Sequence, residues 1–219
     1  MSKSKKERNI FGVEKKYEYL KKINPEIIYC SITGFGQNGP YSKRGGYDYL
    51  VQAMGGIMSI TGEPDKGPSK VGVAWIDVIT GLTAGNAILA ALFEKERTGI
   101  IRKIDISLWD CAIASLVNQA QNFLASGKNP KRMGSAHPNL VPYRAFEVND
   151  GWFVIAVGSD NQWNLLCDIL QIEKLTEWET NAGRIEHRNE IESQISKIIR
   201  KYSREELEQI LSGIPLSLI

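Results

Sequence analysis

Residues 76–108 read IDVITGLTAGNAILAALFEKERTGIIRKIDISL. The Ala- and Leu-rich run from Ile76 to Arg97 predicts one long helix, and Gly99 stands where a left-handed C-cap is required. Arg102 to Leu108 then alternate polar and apolar residues, the period of a strand. Upstream, Glu26–Thr33 (EIIYCSIT) is a second β-rich run, preceded by a surface helix over Glu14–Ile23 that Asn24-Pro25 stops. Tyr47–Met54 predicts a shorter helix broken by Gly55-Gly56, and Trp109–Ser126 a long one ended by Gly127. The order helix, strand, helix, helix, strand, helix is that of an α/β layer with parallel strands.

The pattern changes after Gly127. Residues Lys128–Tyr143 hold three prolines and a glycine, which makes 128–142 a linker or an active-site loop. A hairpin is predicted over Tyr143–Val157 around Asn149-Asp150-Gly151, where Asp-Gly would supply positive backbone angles. Helices follow over Asn161–Leu170, His187–Tyr202 and Ser203–Leu211, the last opening on a capping box formed by Ser203 and Glu206. The expected organisation is a large α/β domain over 1–127, the loop, and a smaller α+β domain over 143–219.

Composition sets outer limits. The 219 residues carry 27 basic and 25 acidic side chains, a net charge of +2, so no general surface for nucleic acid is expected, although Met1–Arg8 is locally basic. Cys30, Cys111 and Cys167 are odd in number and far apart, which points to a reducing compartment without disulfides or a thiolate metal site. Only His137 and His187 are available for a histidine metal centre, and none is expected. The most apolar stretch, Ala84–Phe93, is short for a bilayer and the longer window contains Asp77, so no membrane anchor is expected. The basic start does not lead into the apolar run of a secretory signal.

Gly34-Phe-Gly36-Gln-Asn-Gly39 matches G-x-G-x-x-G and follows a strand. A dinucleotide turn needs a helix N-terminus next, to hold the pyrophosphate, and an acidic residue about 20 positions on. Pro40-Tyr-Ser-Lys-Arg-Gly-Gly46 offers neither, so the stretch is expected to be a long glycine loop. Asp77, in Gly72-Val-Ala-Trp-Ile-Asp-Val-Ile-Thr-Gly81, is the carboxylate that stands out. Two readings are open for it: a first-turn acid that caps its helix, or a nucleophile or proton carrier held in an apolar frame. Tyr47 and Asp48 follow the loop and form a polar group with Lys43 and Arg44, either a solvated helix start or an anion contact. His137, in Gly134-Ser-Ala-His-Pro138, reads as a solvent-facing loop histidine.

Several of these segments together resemble one family. Asn24-Pro-Glu-Ile-Ile-Tyr-Cys-Ser-Ile-Thr-Gly-Phe-Gly-Gln-Asn-Gly-Pro40, Gly46-Tyr-Asp48, Gly55-Gly-Ile-Met-Ser-Ile-Thr-Gly62, Val73-Ala-Trp-Ile-Asp77 with Thr80-Gly81, and Ile104-Asp-Ile-Ser-Leu108 resemble class III CoA-transferases, the family of formyl-CoA and carnitine CoA-transferases. The likeness runs from about Phe11 and is nearest to members acting on dicarboxylic acids such as succinate and glutarate.

The resemblance implies a partial Rossmann-like large domain with a smaller α+β domain, and CoA transfer through an aspartyl anhydride and an aspartyl–CoA thioester at Asp77. It implies that Tyr47 and Asp48 line the site, that Lys43 or Arg44 lies near CoA phosphates, and that Gly134 and His137 belong to a lid, with the CoA thioester as substrate and no bound cofactor. An interlocked homodimer, or a complementing polypeptide, is implied as partner, in the cytoplasm or a mitochondrion. Related racemases have His-Asp where this chain has Tyr47-Asp48, which favours transfer over racemisation. Family chains are longer at both ends, with Ser212-Gly-Ile-Pro215 resembling a segment that normally continues, so a central fragment is expected. A catalytically inactive remnant acting as an interaction module is then the alternative to an enzyme.

Overall fold

In the computed structural model, which describes residues 13–212, the two β-rich runs pair as the alternation predicts. The basic Met1–Arg8 and the Gly-Ile-Pro segment beginning at Gly213 lie outside the described residues. Strand β1 (Tyr29–Thr33) runs parallel to β2 (Lys103–Ser107), with Tyr29 opposite Lys103 and Thr33 opposite Ser107. β1 starts three residues later than expected, at Tyr29, which pairs with Lys103, the first residue of β2. Parallel strands require a crossover. It is supplied by α2 (Asp48–Met54), α3 (Ile57–Ile60) and α4 (Trp75–Thr98), while α1 (Val13–Ile23) precedes β1.

The described residues divide between Arg132 and Met133 into two compact units. In the first, α4 packs on β1, β2, α2 and α5 (Leu108–Ala114). Its C-terminus is as predicted: Gly99 takes φ +71° and donates its N–H to Lys95 O, and Lys95 and Arg97 sit where the helix dipole favours cations. Ile76, Thr80, Ala84 and Ala91 form its buried row, whereas Val78, Leu82, Leu89 and Phe93 form an exposed apolar stripe. At 24 residues, with mean hydropathy 1.7 over its most apolar window, α4 is long and apolar enough to cross a membrane. The short apolar segment Ala84–Phe93 is thus part of a longer apolar helix, and that helix contains Asp77, as expected of the longer window.

The helix expected over Trp109–Ser126 is instead two, α5 and α6 (Val117–Ser126). Ser115 closes α5 by donating its hydroxyl to Ala112 O, and Val117 then takes φ +43°. A β-branched residue there cannot continue a right-handed helix. The core of this unit is small: Val51, Ile57, Ile76, Leu108 and Ala112, with Phe35, Val71, Ile79, Trp109 and Leu116 packed against it.

The second unit is built on a larger core. β3 (Tyr143–Val148) and β4 (Gly151–Ala156) form the predicted hairpin, but its turn residues are Asn149 and Asp150. Only Gly151, at φ +146°, takes a positive angle, so Asp-Gly is not the centre of the turn. Asp150 instead accepts the Arg204 N–H at 2.9 Å, at the start of α10 (Arg204–Leu211), where Ser203 and Glu206 make the expected capping box. Phe146, Val148, Phe153 and Ile155 face α7 (Asp160–Leu170), α9 (Arg188–Ile199) and α10 in one continuous cluster. A 3-10 turn (Thr176–Trp178) and α8 (Asn181–Glu186) were not expected; His187 ends α8 and precedes α9.

Three arginines tie this unit together. The fully buried Arg184 donates Nε to Val141 O (2.8 Å), Nη1 to Trp178 O and Glu179 O (3.0 and 2.9 Å) and Nη2 to Asp160 Oδ1 (2.8 Å). Arg188 pairs with the buried Glu192 one turn on, and donates Nη2 to His137 O at 2.9 Å and Pro138 O at 3.2 Å. Arg144 completes that cluster on the other Glu192 oxygen at 2.8 Å. His137 is therefore half-buried and held, not simply solvent-facing as expected: its Nδ1 accepts the Asn139 N–H and its ring lies 5.1 Å from that of Tyr143.

Replacing Arg184 by Ala should destabilise this unit by about 3 kcal/mol in urea, followed by the fluorescence of Trp163 and Trp178. Most of that comes from three orphaned carbonyls, because Asp160 is half-exposed and adds little. A loss below 0.5 kcal/mol, the size of an ordinary surface substitution, would refute the assignment. A second prediction concerns pH. Partial burial, and then the charge of Arg188, hold the His137 imidazole below its usual range. A histidine depressed in the fold contributes stability that is fully present above about pH 6.5 and is lost as pH falls through its folded value. An NMR titration should place its midpoint below 6.5, and His137→Asn, which keeps an acceptor for Asn139, should flatten the stability profile between pH 7 and 5. An ordinary histidine midpoint would contradict this.

Candidate active site

The glycine loop over residues 34–46 is closed on itself. A Cβ on Gly34 would lie 2.5 Å from Gly46 Cα, and one on Gly46 equally close to Gly34 Cα, so the two ends touch in a way only glycine permits. Side chains fix the rest. Gln37 donates its amide N–H to Asp105 Oδ2 (3.1 Å) and its Nε2 to Ser31 Oγ (3.0 Å), and Gly36 N–H meets Thr33 Oγ1 at 2.9 Å. Phe35 stands edge-on to Tyr41, whose other partner is the Arg44 guanidinium 4.3 Å from the ring centroid. No helix begins between Gly39 and Asp48, so Gly39 has no helix N-terminus behind it and the dinucleotide turn is absent, as the sequence implied. Lys43 and Arg44 are both exposed on this loop.

The closed loop delivers Tyr47 and Asp48 to the start of α2, and there the two side chains part. Tyr47, the N-cap residue, is 79% exposed. Asp48 turns inward: its Oδ1 accepts the Ile76 N–H at 2.7 Å and, more distantly, the Asp77 N–H at 3.4 Å. Its Oδ2 accepts Gln52 Nε2 at 2.7 Å. Gln52, fully buried, closes the circuit by accepting the Val71 N–H at 2.9 Å.

This decides between the two readings of Asp77 in one respect. The N-cap residue of α4 is Ala74, which has no side-chain acceptor, and Asp77 occupies the third helical position. Its carboxylate is exposed and makes no hydrogen bond or ion pair among the described residues. The capping role expected of it is taken by Asp48. An unengaged carboxylate at a helix start is chemically available as a nucleophile toward an activated carbonyl.

A cleft of about 460 Å³ in this unit lies elsewhere: it is lined by Trp75, Ile79 and Thr83 of α4, by the end of β2 and by α5. At 100° per residue the buried row Ile76, Thr80 and Ala84 separates those side chains from Asp77, so the cleft does not contain the candidate nucleophile. Gly134, at φ +60°, and His137 belong to the second unit. Gln52 escaped the sequence reading, although its spacing of four from Asp48 on one helix was a usable signal. Arg188 and Glu192 carry the same i,i+4 signature.

Comparison with known proteins adds the family. Residues 10–217 match the family model described as CoA-transferase family III. A succinate–glutarate CoA-transferase of Agrobacterium fabrum is 47% identical over 194 residues, covering 87% of this chain and 48% of its own length. The succinyl-CoA:glutarate CoA-transferase of Homo sapiens is 42% identical over 194 residues, covering 87% of this chain and 43% of its own. The crystal structure of a CAIB/BAIF family protein from Brucella suis superposes with a TM-score of 0.75 at 48% identity, over 91% of this chain and 54% of that one. The chain thus spans about half the length of the curated relatives it matches. With residues 10–217 matched by the family model, almost its whole length, the chain belongs to CoA-transferase family III.

Proposed function

We propose that this chain carries the nucleophile of a CoA-transferase that moves CoA from an acyl-CoA, such as succinyl-CoA, to a carboxylic or dicarboxylic acid. The observation that carries the reading is the exposed, unengaged carboxylate of Asp77 at the start of α4, within a chain 42–47% identical to succinate and glutarate CoA-transferases. An aspartate suits the task because it is ionised at neutral pH without a separate base.

The steps balance without a cofactor. An Asp77 oxygen attacks the thioester carbon, the C–S bond breaks, and CoA leaves as thiolate, giving an aspartyl–acyl anhydride. The thiolate attacks the Asp77 carbonyl carbon of that anhydride and expels the donor acid as carboxylate, leaving an aspartyl–CoA thioester. The acceptor carboxylate attacks this thioester, CoA thiolate departs again, and its attack on the acceptor's carbonyl carbon releases acyl-CoA and restores Asp77. Water must be kept from the anhydride, which it would hydrolyse. In this reading Tyr47, exposed beside Asp48, meets the substrate, while Lys43 and Arg44 offer charge to the CoA phosphates. Gly134 and His137 belong to it as lid residues. The CoA thioester is a substrate, no cofactor is bound, and a homodimer or a complementing polypeptide is the partner. The site is that of a soluble metabolic enzyme, with α4 a packing helix and not a membrane span.

Incubation of the chain with succinyl-CoA should place a hydroxylamine-sensitive adduct on Asp77, detected by mass spectrometry, and Asp77→Ala should abolish it. Absence of the adduct on the parent chain, or its persistence in Asp77→Ala, would defeat the proposal. Loss of an α-deuterium from a branched acyl-CoA without any acceptor acid would point to racemisation instead.

A further inference from the structure

The first turn of a helix leaves amides without intrahelical partners, and α4 has little of its own to offer them. Trp75 N–H reaches back to Val73 O at 2.8 Å, and Val78 N–H bonds Ala74 O at 3.1 Å. The amides between them, Ile76 and Asp77, have no acceptor in the flanking Val73-Ala-Trp-Ile frame, whose side chains are all apolar or indole. An acid in the first turn ordinarily turns its own oxygens toward such amides or the dipole they create. In this chain the carboxylate that does so comes from 28 residues earlier.

The geometry points to Asp48 as a positioning residue for the transfer reaction: it caps α4 in place of Asp77, so that the Asp77 oxygens remain turned outward for substrate. The inference rests on the reading of Asp77 as nucleophile and assigns Asp48 a role distinct from lining the CoA site. Four hydrogen bonds support it. Oδ1 of Asp48 holds the backbone of Ile76 and, at longer range, of Asp77 itself. Oδ2 is fixed by the fully buried Gln52, so the carboxylate cannot rotate away without breaking a partly buried hydrogen bond. Gln52 in turn accepts the Val71 N–H, which ties the approach to α4 to the same pair. The start of the helix and the segment entering it thus hang from one acid–amide couple on α2. Asp48 acts through Asp77 and touches no reacting atom.

The test exchanges the acid and the amide. In Asp48→Asn the new amide nitrogen faces the Gln52 amide nitrogen, and in Gln52→Glu two carboxylates face each other, so each single change breaks the contact. The paired change D48N/Q52E restores one donor opposite one acceptor while keeping acceptors for the Ile76 and Val71 amides. On the full chain, Asp48→Ala should speed hydrogen exchange of the Ile76 amide about fivefold, with mid-helix amides near Leu89 unchanged. Formation of the Asp77 adduct from succinyl-CoA should slow roughly 10- to 100-fold in Asp48→Ala and in both single exchanges. D48N/Q52E should return both readouts to within about threefold of the parent. A purely structural loss would raise exchange along the whole of α4 and would not be rescued by the exchange of groups. Unaltered exchange at Ile76 in Asp48→Ala, or a paired variant no better than its singles, overturns the inference. If the parent forms the adduct and Asp48→Ala forms it as fast, Asp77 keeps its role and the positioning role falls. If the parent forms no adduct, the nucleophile reading fails and the positioning role falls with it, whatever the exchange data show.

Discussion

The first unit depends on a carboxylate that belongs to one helix and completes another. Helix α4 carries the candidate nucleophile, lines a cleft of about 460 Å³ and packs on both strands, yet the apolar frame at its start has no side chain that can accept a hydrogen bond. Buried or half-buried amides left unpaired cost about 1–3 kcal/mol each, comparable to the burial of a whole aliphatic side chain. The core beneath α4 is small enough that such a cost matters. Asp48 removes it by meeting the Ile76 amide, and Gln52 keeps Asp48 in place. The close contact of Gly34 with Gly46 serves the same end, because it fixes where the chain re-enters after the loop and hence where Asp48 begins α2.

The two units hold together by different means. The second has a continuous cluster running from Phe146 and Ile155 through Trp163 and Leu166 to Ile195 and Leu211, and its polar ties through Arg184 and Glu192 are added to this larger apolar core. In the first, long-range polar ties carry more of the organisation: Asp105 to Gln37, Asp48 to Ile76, Gln52 to Val71. Its apolar residues are divided between the core and the outer stripe of α4, where Val78, Leu82, Leu89 and Phe93 remain in water. A contiguous stripe of that kind on a helix marks a surface suited to further packing. It also explains why α4 satisfies the length and hydropathy of a membrane span while its other face lies on a sheet.

What could be read from the sequence follows the range of the interactions. The strand alternation of Lys103–Ser107, the glycine cap at Gly99 and the Ser203–Glu206 capping box are local, and each stands where residues within a turn or two require it. The break after Ser115 is not local. Nothing in Leu116-Val117-Asn118 disfavours a helix strongly enough to end one, so the positive φ of Val117 is not legible from local propensity. Helix α8 has six residues, too few for an amphipathic period to be visible, and its definition comes from the cap on Thr180 and the burial of Arg184. The hairpin was legible in place but not in turn register, and the partner that Asp150 finds, Arg204, is 54 positions away.

Asp77 and Asp48 illustrate the same limit within the candidate site. Local rules give a first-turn acid to its own helix, and by that measure Asp77 is the cap and Asp48 an acid at the start of α2. The tertiary contact reassigns them: one carboxylate satisfies amides, which leaves the other without a structural task. Tyr47 and Asp48 are divided in a similar way. They are neighbours at a helix start, so their side chains leave the backbone in different directions, Tyr47 toward water and Asp48 toward Ile76. Of the pair, Tyr47 is the member free to meet a ligand. The Gly46-Tyr-Asp48 motif therefore joins two requirements that must stay in register, a ring presented outward and an anchor held inward. The close approach of Gly34 to Gly46 holds that register from the loop side.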